Sequence, residues 1–140
     1  MNSKISYATI FVVGIAIAFT LTACGGGHHY KLNPSMNVPA ATGTVDVGHD
    51  QNGNTTIDLK VRHLAKPDSL TPPKVVYVVW IERSGLAAEN QGALQLNDNL
   101  EGEFKTTLPY KKFEIFVTAE DNPHATGPSG QEVLRQQVTP

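Results

Sequence analysis

The chain contains a single cysteine, Cys24, in 140 residues, and this scarcity excludes several kinds of stabilisation and chemistry. One thiol cannot form an intrachain disulfide, and it cannot build a metal centre with several cysteine ligands. The domain must therefore be stabilised by its hydrophobic core.

Positive charge and catalytic motifs are also scarce. The 11 Lys and Arg residues are outnumbered by 13 Asp and Glu residues, which gives a net charge of −2 and no electrostatic attraction for nucleic acid. The sequence has no Gly-x-Ser-x-Gly elbow, no HExxH pattern, no phosphate-binding loop and no dinucleotide fingerprint. We therefore expect a protein that is not an enzyme and that uses no cofactor.

The longest uncharged run lies near the N-terminus. It follows Lys4, and its first nineteen residues, 5–23, are typical of the apolar region of an export signal. These nineteen residues approach the roughly 20 that span a bilayer, so an uncleaved membrane helix is the alternative. The small residues before Cys24 and the three glycines after it favour an extended cleavage site instead. We expect residues 1–23 to be a signal peptide.

The segment Leu21-Thr22-Ala23-Cys24 resembles the lipobox of bacterial lipoproteins, which is an aliphatic residue, two small residues and an obligatory cysteine. The resemblance implies that the signal is cut before Cys24 and that its thiol carries a diacylglyceryl thioether. It thereby implies a membrane-anchored lipoprotein of the bacterial cell envelope. Gly25 is not the Asp that the lipoprotein sorting rule associates with inner-membrane retention, so in a source with two membranes we expect the outer one, facing the periplasm.

A composition change divides the exported part in two. Residues 25–41 combine glycines, Pro34 and Pro39 with little periodic hydrophobicity, which predicts a flexible tether. From Thr42 onward, short alternating runs are separated by turn residues, as in an all-β domain. The expected organisation is a signal peptide at 1–23, a lipidated cysteine and tether at 24–41, and a domain at 42–140.

The domain pattern predicts about seven strands in an immunoglobulin-like β-sandwich. Val45 and Val47 alternate with polar residues, and the turn residues Asn52-Gly53 follow, so a hairpin is expected. Within residues 74–83, odd-numbered and even-numbered positions are both mainly apolar, which indicates a central strand covered on both sides. The expected core comprises Tyr77, Trp80, Phe113, Ile115 and Val117. Trp80 is expected between the sheets rather than exposed as a binding residue.

A second resemblance covers roughly Val75 to Pro128. The strand Tyr77-Val78-Val79-Trp80, the glycine-containing stretch 85–102 and the segment 116–128 resemble the extracytoplasmic domain of anti-sigma-K factors. That family has a Tyr-x-x-Trp strand, then Val-Thr-x-Glu and a Pro-Thr-Gly-Pro-like end, in a β-sandwich; here Ala125 stands where a proline is expected. Those regulators carry a cytoplasmic sigma-binding region before a membrane helix, and this chain has a signal peptide there. The resemblance therefore implies the fold, not sigma-factor binding.

Two groups of residues are candidates for metal binding. The adjacent pair His28-His29 could hold a transition metal, although an unstructured spacer is the favoured interpretation. Glu120 and Asp121 could offer oxygen ligands to Ca²⁺. The favoured interpretation there is a strand exit whose side chains accept hydrogen bonds from turn amides.

The sequence thus favours a non-enzymatic, lipid-anchored interaction domain in the cell envelope. Its partners would be the membrane, through modified Cys24, and an unidentified envelope protein, with no nucleic acid. One alternative is a regulatory or sensor module related to the anti-sigma extracytoplasmic domains. Another is a metal-handling lipoprotein that uses His28 and His29, with Glu120 and Asp121 as further candidate ligands.

Lipidation gives the first testable prediction. Expressed in a bacterium, the protein should partition into detergent and gain the mass of its acyl groups, because the lipobox directs modification of Cys24. The Cys24→Ala variant should accumulate as an unprocessed precursor. Mass spectrometry of the mature N-terminus checks this, and a mature protein that begins elsewhere or carries no lipid mass would contradict it.

Overall fold

A computed structural model of the protein describes residues 27–140. The predicted signal peptide and Cys24 lie outside the described residues, so cleavage and lipidation stay predictions. Within the described part, no helix is long and apolar enough to cross a membrane. The eight strands are β1 His28–Pro34, β2 Thr42–His49, β3 Thr55–Arg62, β4 Val76–Glu82, β5 Glu89–Leu94, β6 Gly102–Leu108, β7 Phe113–Glu120 and β8 Gln131–Val138.

All strand pairs are antiparallel, and the strand order is β5-β4-β7-β8-β1-β2-β3-β6. The two outer strands, β5 and β6, approach each other, and Gln91 and Thr106 form a hydrogen bond of 3.3 Å between them. The sheet is therefore nearly closed around one core. The prediction of an all-β, sandwich-like fold is confirmed. Eight strands are present where about seven were expected, and the immunoglobulin-like type stays a prediction.

The predicted first hairpin consists of β2 and β3. Val45 lies opposite Leu59 and Val47 opposite Ile57, and all four side chains are buried. The intervening residues are partly or fully exposed, which is the alternation of a sheet with one wet face. Gly53 has φ +80° in the turn, a conformation that glycine adopts without steric cost.

Strand β4 is covered on both faces, as its uninterrupted apolar sequence predicts. Tyr77, Val79 and Ile81 face the main core, together with Phe113, Ile115 and Val117. Trp80 is fully buried but does not lie between the two halves of the sheet. It packs on the opposite face against Val78 and Phe116, under Ala88 and Ala125 from neighbouring loops. The expected position between the sheets is therefore wrong, because strand alternation turns Trp80 away from Tyr77.

Strand β1 contradicts the expected tether. Residues 28–32 pair with β2, and residues 33–34 pair with β8. Leu32, Val38 and Ala41 are buried in the main core, so the domain begins near His28 rather than at Thr42. The sequence signal was weak because β1 buries one of its seven side chains fully and exposes most of the others.

The strand pairing defines two ends of the molecule. The start of β1, the 50–54 turn and the loops 83–88 and 109–112 lie together at one end, which we call the anchor-side end. The loops 35–41, 63–75, 95–101 and 121–130 lie at the opposite end, called the far end.

Strand β1 gives the second prediction. Leu32→Ala should destabilise the protein by about 2–5 kcal/mol, because it leaves a cavity where β1 joins the two halves of the sheet. A form starting at Thr42 should lose more, since Val38 and Ala41 go with it and β2 and β8 lose their shared neighbour. The exposed neighbour in Lys31→Ala is the control and should change stability by less than about 0.5 kcal/mol. Urea unfolding measures all three, and a form starting at Thr42 with unchanged stability would contradict the role of β1.

Candidate functional site

Two adjoining grooves open at the far end of the molecule. One has a volume of about 500 Å³ and lies between the end of β3, the start of β6 and the 95–101 loop. The other, of about 430 Å³, lies between the 63–75 loop and the ends of β4 and β5. Gln95 and Leu96 line both grooves. We call this combined surface the far-end groove.

The floor of the far-end groove carries apolar groups that a partner could cover. Val75 is 71% exposed, although it directly precedes β4. Leu96 is partly buried against the core, and both residues line the same 430 Å³ groove. Exposed apolar side chains surrounded by polar residues are typical of a protein–protein contact.

The groove is held in place by bonds from the core. The hydroxyl of buried Tyr77 donates to the carbonyl of Ala65 at 2.7 Å, and burial raises the pKa of Tyr77 to about 12. The amide of Leu64 donates to the carbonyl of Leu100 at 3.2 Å, which joins the two groove-forming loops. The groove is therefore preorganised, and binding would cost little ordering of its backbone.

Two residues beside this groove have an unusual backbone. His63 has φ 55° and Leu100 has φ 62°, both in the left-handed region that non-glycine side chains rarely adopt. Leu100 is held by a turn in which the Asn97 side-chain oxygen accepts the amides of Asn99 (2.9 Å) and Glu101 (3.0 Å). Backbone strain of this kind is concentrated at functional sites. It supports the far-end groove as the candidate site.

Charges on the groove rim have both signs. Lys74 pairs with Asp121 at 2.7 Å, and Arg62 lies 3.7 Å from Glu101. Lys66 is exposed on the same loop as Lys74. The rim therefore suits a mixed polar surface, such as that of another protein, rather than a polyanion.

A further depression of about 510 Å³ lies on the outer face of β2, β3 and β6. Its charged groups satisfy one another: Asp58 lies 3.3 Å from both Lys60 and Lys105. Burial raises the pKa of Asp58, but the two lysines outweigh that effect and hold it below its usual value. These groups form an ion-paired ladder across the sheet, so we regard this face as a weaker candidate.

The two candidate metal ligands on β1 do not converge. Adjacent strand residues point to opposite faces, so the imidazoles of His28 and His29 are directed apart. His29 is engaged by Asp46, with 2.6 Å between Nδ1 and the carboxylate, and His28 lies beside the Tyr30 ring. Among residues 27–140 no cluster of three or more His, Cys, Asp or Glu side chains has metal-binding geometry. The spacer interpretation is wrong as well, since both residues belong to β1.

Glu120 accepts hydrogen bonds from the loop that follows it, as the strand-exit interpretation predicted. Its carboxylate accepts the amides of Ser129 (3.0 Å) and Gly130 (3.1 Å) and the hydroxyls of Ser129 (2.8 Å) and Thr118 (2.6 Å). Trp80 Nε1 donates in turn to the Thr118 hydroxyl at 2.8 Å. This buried chain ties the 121–130 loop to β4 and β7. It also occupies the carboxylate oxygens that Ca²⁺ would need, while Asp121 turns to Lys74.

Reasoning from the sequence missed the far-end groove. Its parts come from loops some 20–30 residues apart, and no local motif marks Gln95, Leu96 or Val75 as a surface. The expected core residues, by contrast, are all buried. Comparisons of the chain with known protein families, with curated proteins and with solved structures found no match. The resemblances to lipoproteins and to anti-sigma-K domains therefore stay predictions.

The Glu120 network gives the third prediction. Burial raises the pKa of Glu120, but the hydrogen bonds from Thr118, Gly130 and Ser129 together outweigh it, so the pKa lies below the usual 4.5. A lowered pKa stabilises the fold above pH 4.5, and that contribution is lost as the pH falls through the folded-state pKa. Glu120→Gln should therefore cost about 1.5–3 kcal/mol at pH 7.

The difference in unfolding free energy between wild type and Glu120→Gln should shrink as the pH falls below 4.5 and through the lowered pKa of Glu120. Urea unfolding at neutral and acid pH measures this. Glu103→Gln, on the exposed outer face, is the matched control and should change little. A cost for Glu120→Gln that is the same at both pH values would show that the charge of Glu120 contributes nothing.

Proposed function

We propose that the protein is a non-enzymatic, lipid-anchored interaction domain of the bacterial cell envelope, which presents its far-end groove to a partner protein. The observation that carries the proposal is the relation between anchor and groove. The lipobox cysteine precedes His28, the first residue of β1, by four positions, and β1 starts at the end of the molecule opposite the groove.

The short segment between Cys24 and His28 supports this orientation of the domain. Four residues span at most about 14 Å when fully extended, so an anchor at Cys24 would hold the anchor-side end close to the membrane. The far-end groove would then face the periplasm or the exterior. Its exposed Val75, partly buried Leu96 and mixed-charge rim would be available to another envelope protein.

The perturbed ionisable groups support a non-enzymatic role. Glu89 pairs with Arg83 and Tyr110, Asp58 with lysines of its own sheet face, and Glu120 with loop donors. Each of these groups is explained by its structural partner. Asp58 lines the outer-face depression, and neither Glu89 nor Glu120 lines that depression or the far-end groove. A catalytic pair would need perturbed groups that converge on one cavity.

Site-specific crosslinking tests the proposal and gives the fourth prediction. A photoreactive amino acid replacing Val75 should yield a discrete crosslinked protein in intact cells. The same substitution at Leu86, which is 51% exposed at the anchor-side end, is the matched control and should give no such product. Both sites are exposed, so neither substitution should alter the fold.

A substitution confined to the groove should then reduce binding of the partner. Val75→Glu should reduce the crosslinked or co-purified partner at least about tenfold, because a buried unpaired carboxylate opposes association. Unfolding stability should stay within about 0.5 kcal/mol of wild type. Equal protein crosslinking from Val75 and Leu86, or full partner recovery with Val75→Glu, would exclude the far-end groove as the binding surface.

A further inference from the structure

The anchor-side end carries a small surface that is neither core nor part of the far-end groove. It comprises Leu86, at the tip of the 83–88 loop, and Lys111 and Lys112 in the 109–112 loop. Leu86 is one of three large apolar side chains in the described residues that are strongly exposed. Both lysines are exposed, and neither forms an ion pair within residues 27–140.

Contacts among three side chains hold the 83–88 and 109–112 loops together. Arg83 pairs with Glu89 at 2.8 Å, and its guanidinium lies 4.0 Å from the centre of the Tyr110 ring. The Tyr110 hydroxyl donates to the other oxygen of Glu89 at 2.9 Å. Because Tyr110 is held beside Arg83, the adjacent Lys111 stays on the same end of the molecule as Leu86.

The acidic groups at this end are occupied internally. Asp50 accepts the side chain and amide of Asn54, and these bonds lower its pKa. Glu89 pairs with Arg83 and accepts a hydrogen bond from Tyr110, whereas Glu82 and Glu114 share Arg135 with Glu132. Among residues 27–140, Lys111 and Lys112 therefore form no ion pair with these carboxylates.

From this placement we infer that the anchor-side end is a membrane-contact surface, with Lys111 and Lys112 on anionic phospholipid headgroups and Leu86 in the interface. The inference rests on the proposed anchoring at Cys24 and goes beyond it, because it assigns a face and an orientation. A segment of four residues, at most about 14 Å long, ends at His28 on this same end. An anchored domain cannot withdraw this end far from the headgroups, and an exposed leucine with basic neighbours suits that interface.

The lipid anchor explains why so small a surface is sufficient. Two lysines and one leucine would bind a membrane weakly on their own. Tethering makes the contact intramolecular, so the effective concentration of the bilayer is high and weak contacts set the orientation. Each lysine should then favour the membrane-apposed orientation about fivefold, and the pair about 25-fold.

Fluorescence in vesicles tests the inference on the purified, full mature lipoprotein. Leu86→Cys places a fluorophore at the anchor-side end, and Val75→Cys places the same fluorophore at the far end as the control. The vesicles contain phosphatidylglycerol in phosphatidylcholine, with a quencher on a fraction of the headgroups. We expect strong quenching at position 86 and little at position 75.

The lysine pair is tested in the same vesicles. The double variant Lys111→Gln/Lys112→Gln should reduce quenching at position 86, and raised salt should have the same effect. In vesicles of phosphatidylcholine alone the double variant should behave like wild type. The far-end double variant Arg62→Gln/Lys66→Gln is the matched control and should change nothing.

The outcomes separate the two proposals. A mass spectrum without acyl groups on Cys24 overturns the lipid anchor, and the membrane-contact surface with it. A lipidated protein whose quenching is equal at positions 86 and 75, or is unaffected by Lys111→Gln/Lys112→Gln, overturns the membrane-contact surface alone. Strong lysine-dependent quenching at position 86 supports the surface and its orientation.

Discussion

The pairing of β1 with two neighbours holds this structure together. Its first five residues form a ladder with β2, and its last two pair with β8. Without β1, no strand ladder would join the β2-β3-β6 group to the β5-β4-β7-β8 group within residues 27–140, because β5 and β6 are not paired as neighbouring strands. A single strand thus converts two sheets into one nearly closed layer around a common core. Closing a sheet in this way also reduces the number of exposed edges that could pair with other chains.

The same strand links the fold to its proposed location. Because β1 starts four residues after Cys24, the lipid would be attached almost directly to the element on which the core depends. A domain mounted in this way has a defined near side and a defined far side. The two proposals follow from that geometry. The anchor-side end has two lysines without ion pairs in the described residues and an exposed leucine. The far-end groove has exposed Val75 and partly buried Leu96 between two preorganised loops. A long flexible tether would have allowed any face to meet the membrane or a partner.

The buried polar chain from Trp80 through Thr118 to Glu120 has a complementary role. It crosses the outer face of the sheet and fixes the 121–130 loop, which in turn covers Trp80 and Phe116. A charged carboxylate in that position is tolerated because four donors surround it. The 121–130 loop also carries Asp121, which pairs with Lys74 beside the far-end groove. The network therefore fixes the loop that carries the ion-pair partner of Lys74, a residue that lines the groove.

Local residue patterns determined much of this fold in advance. Alternation over Val45 to Val61 gave the β2–β3 hairpin, because one face of that ladder is wet. The uninterrupted apolar run around Val79 predicted a strand covered on both faces, because a strand buried on both sides has no solvent-exposed face for polar residues. The strand-exit interpretation of Glu120 was correct because its partners lie only nine or ten residues away. The resemblance of residues 21–24 to a lipobox is likewise local, and the proposed anchor rests on it.

Tertiary structure alone decided the rest. The role of β1 depends on two partners far along the chain, so its weakly patterned sequence was interpreted as a tether. The side of the sheet on which Trp80 lies depends on which loops cover it, and Ala88 and Ala125 are not adjacent to it in sequence. The far-end groove and the grouping of Leu86 with Lys111 arise where loops distant in sequence meet at one end. Short-range patterning reports the periodicity of a strand and the chemistry of a turn. It carries no information on which ends share a side of the molecule, because that is fixed by the order in which the strands pair.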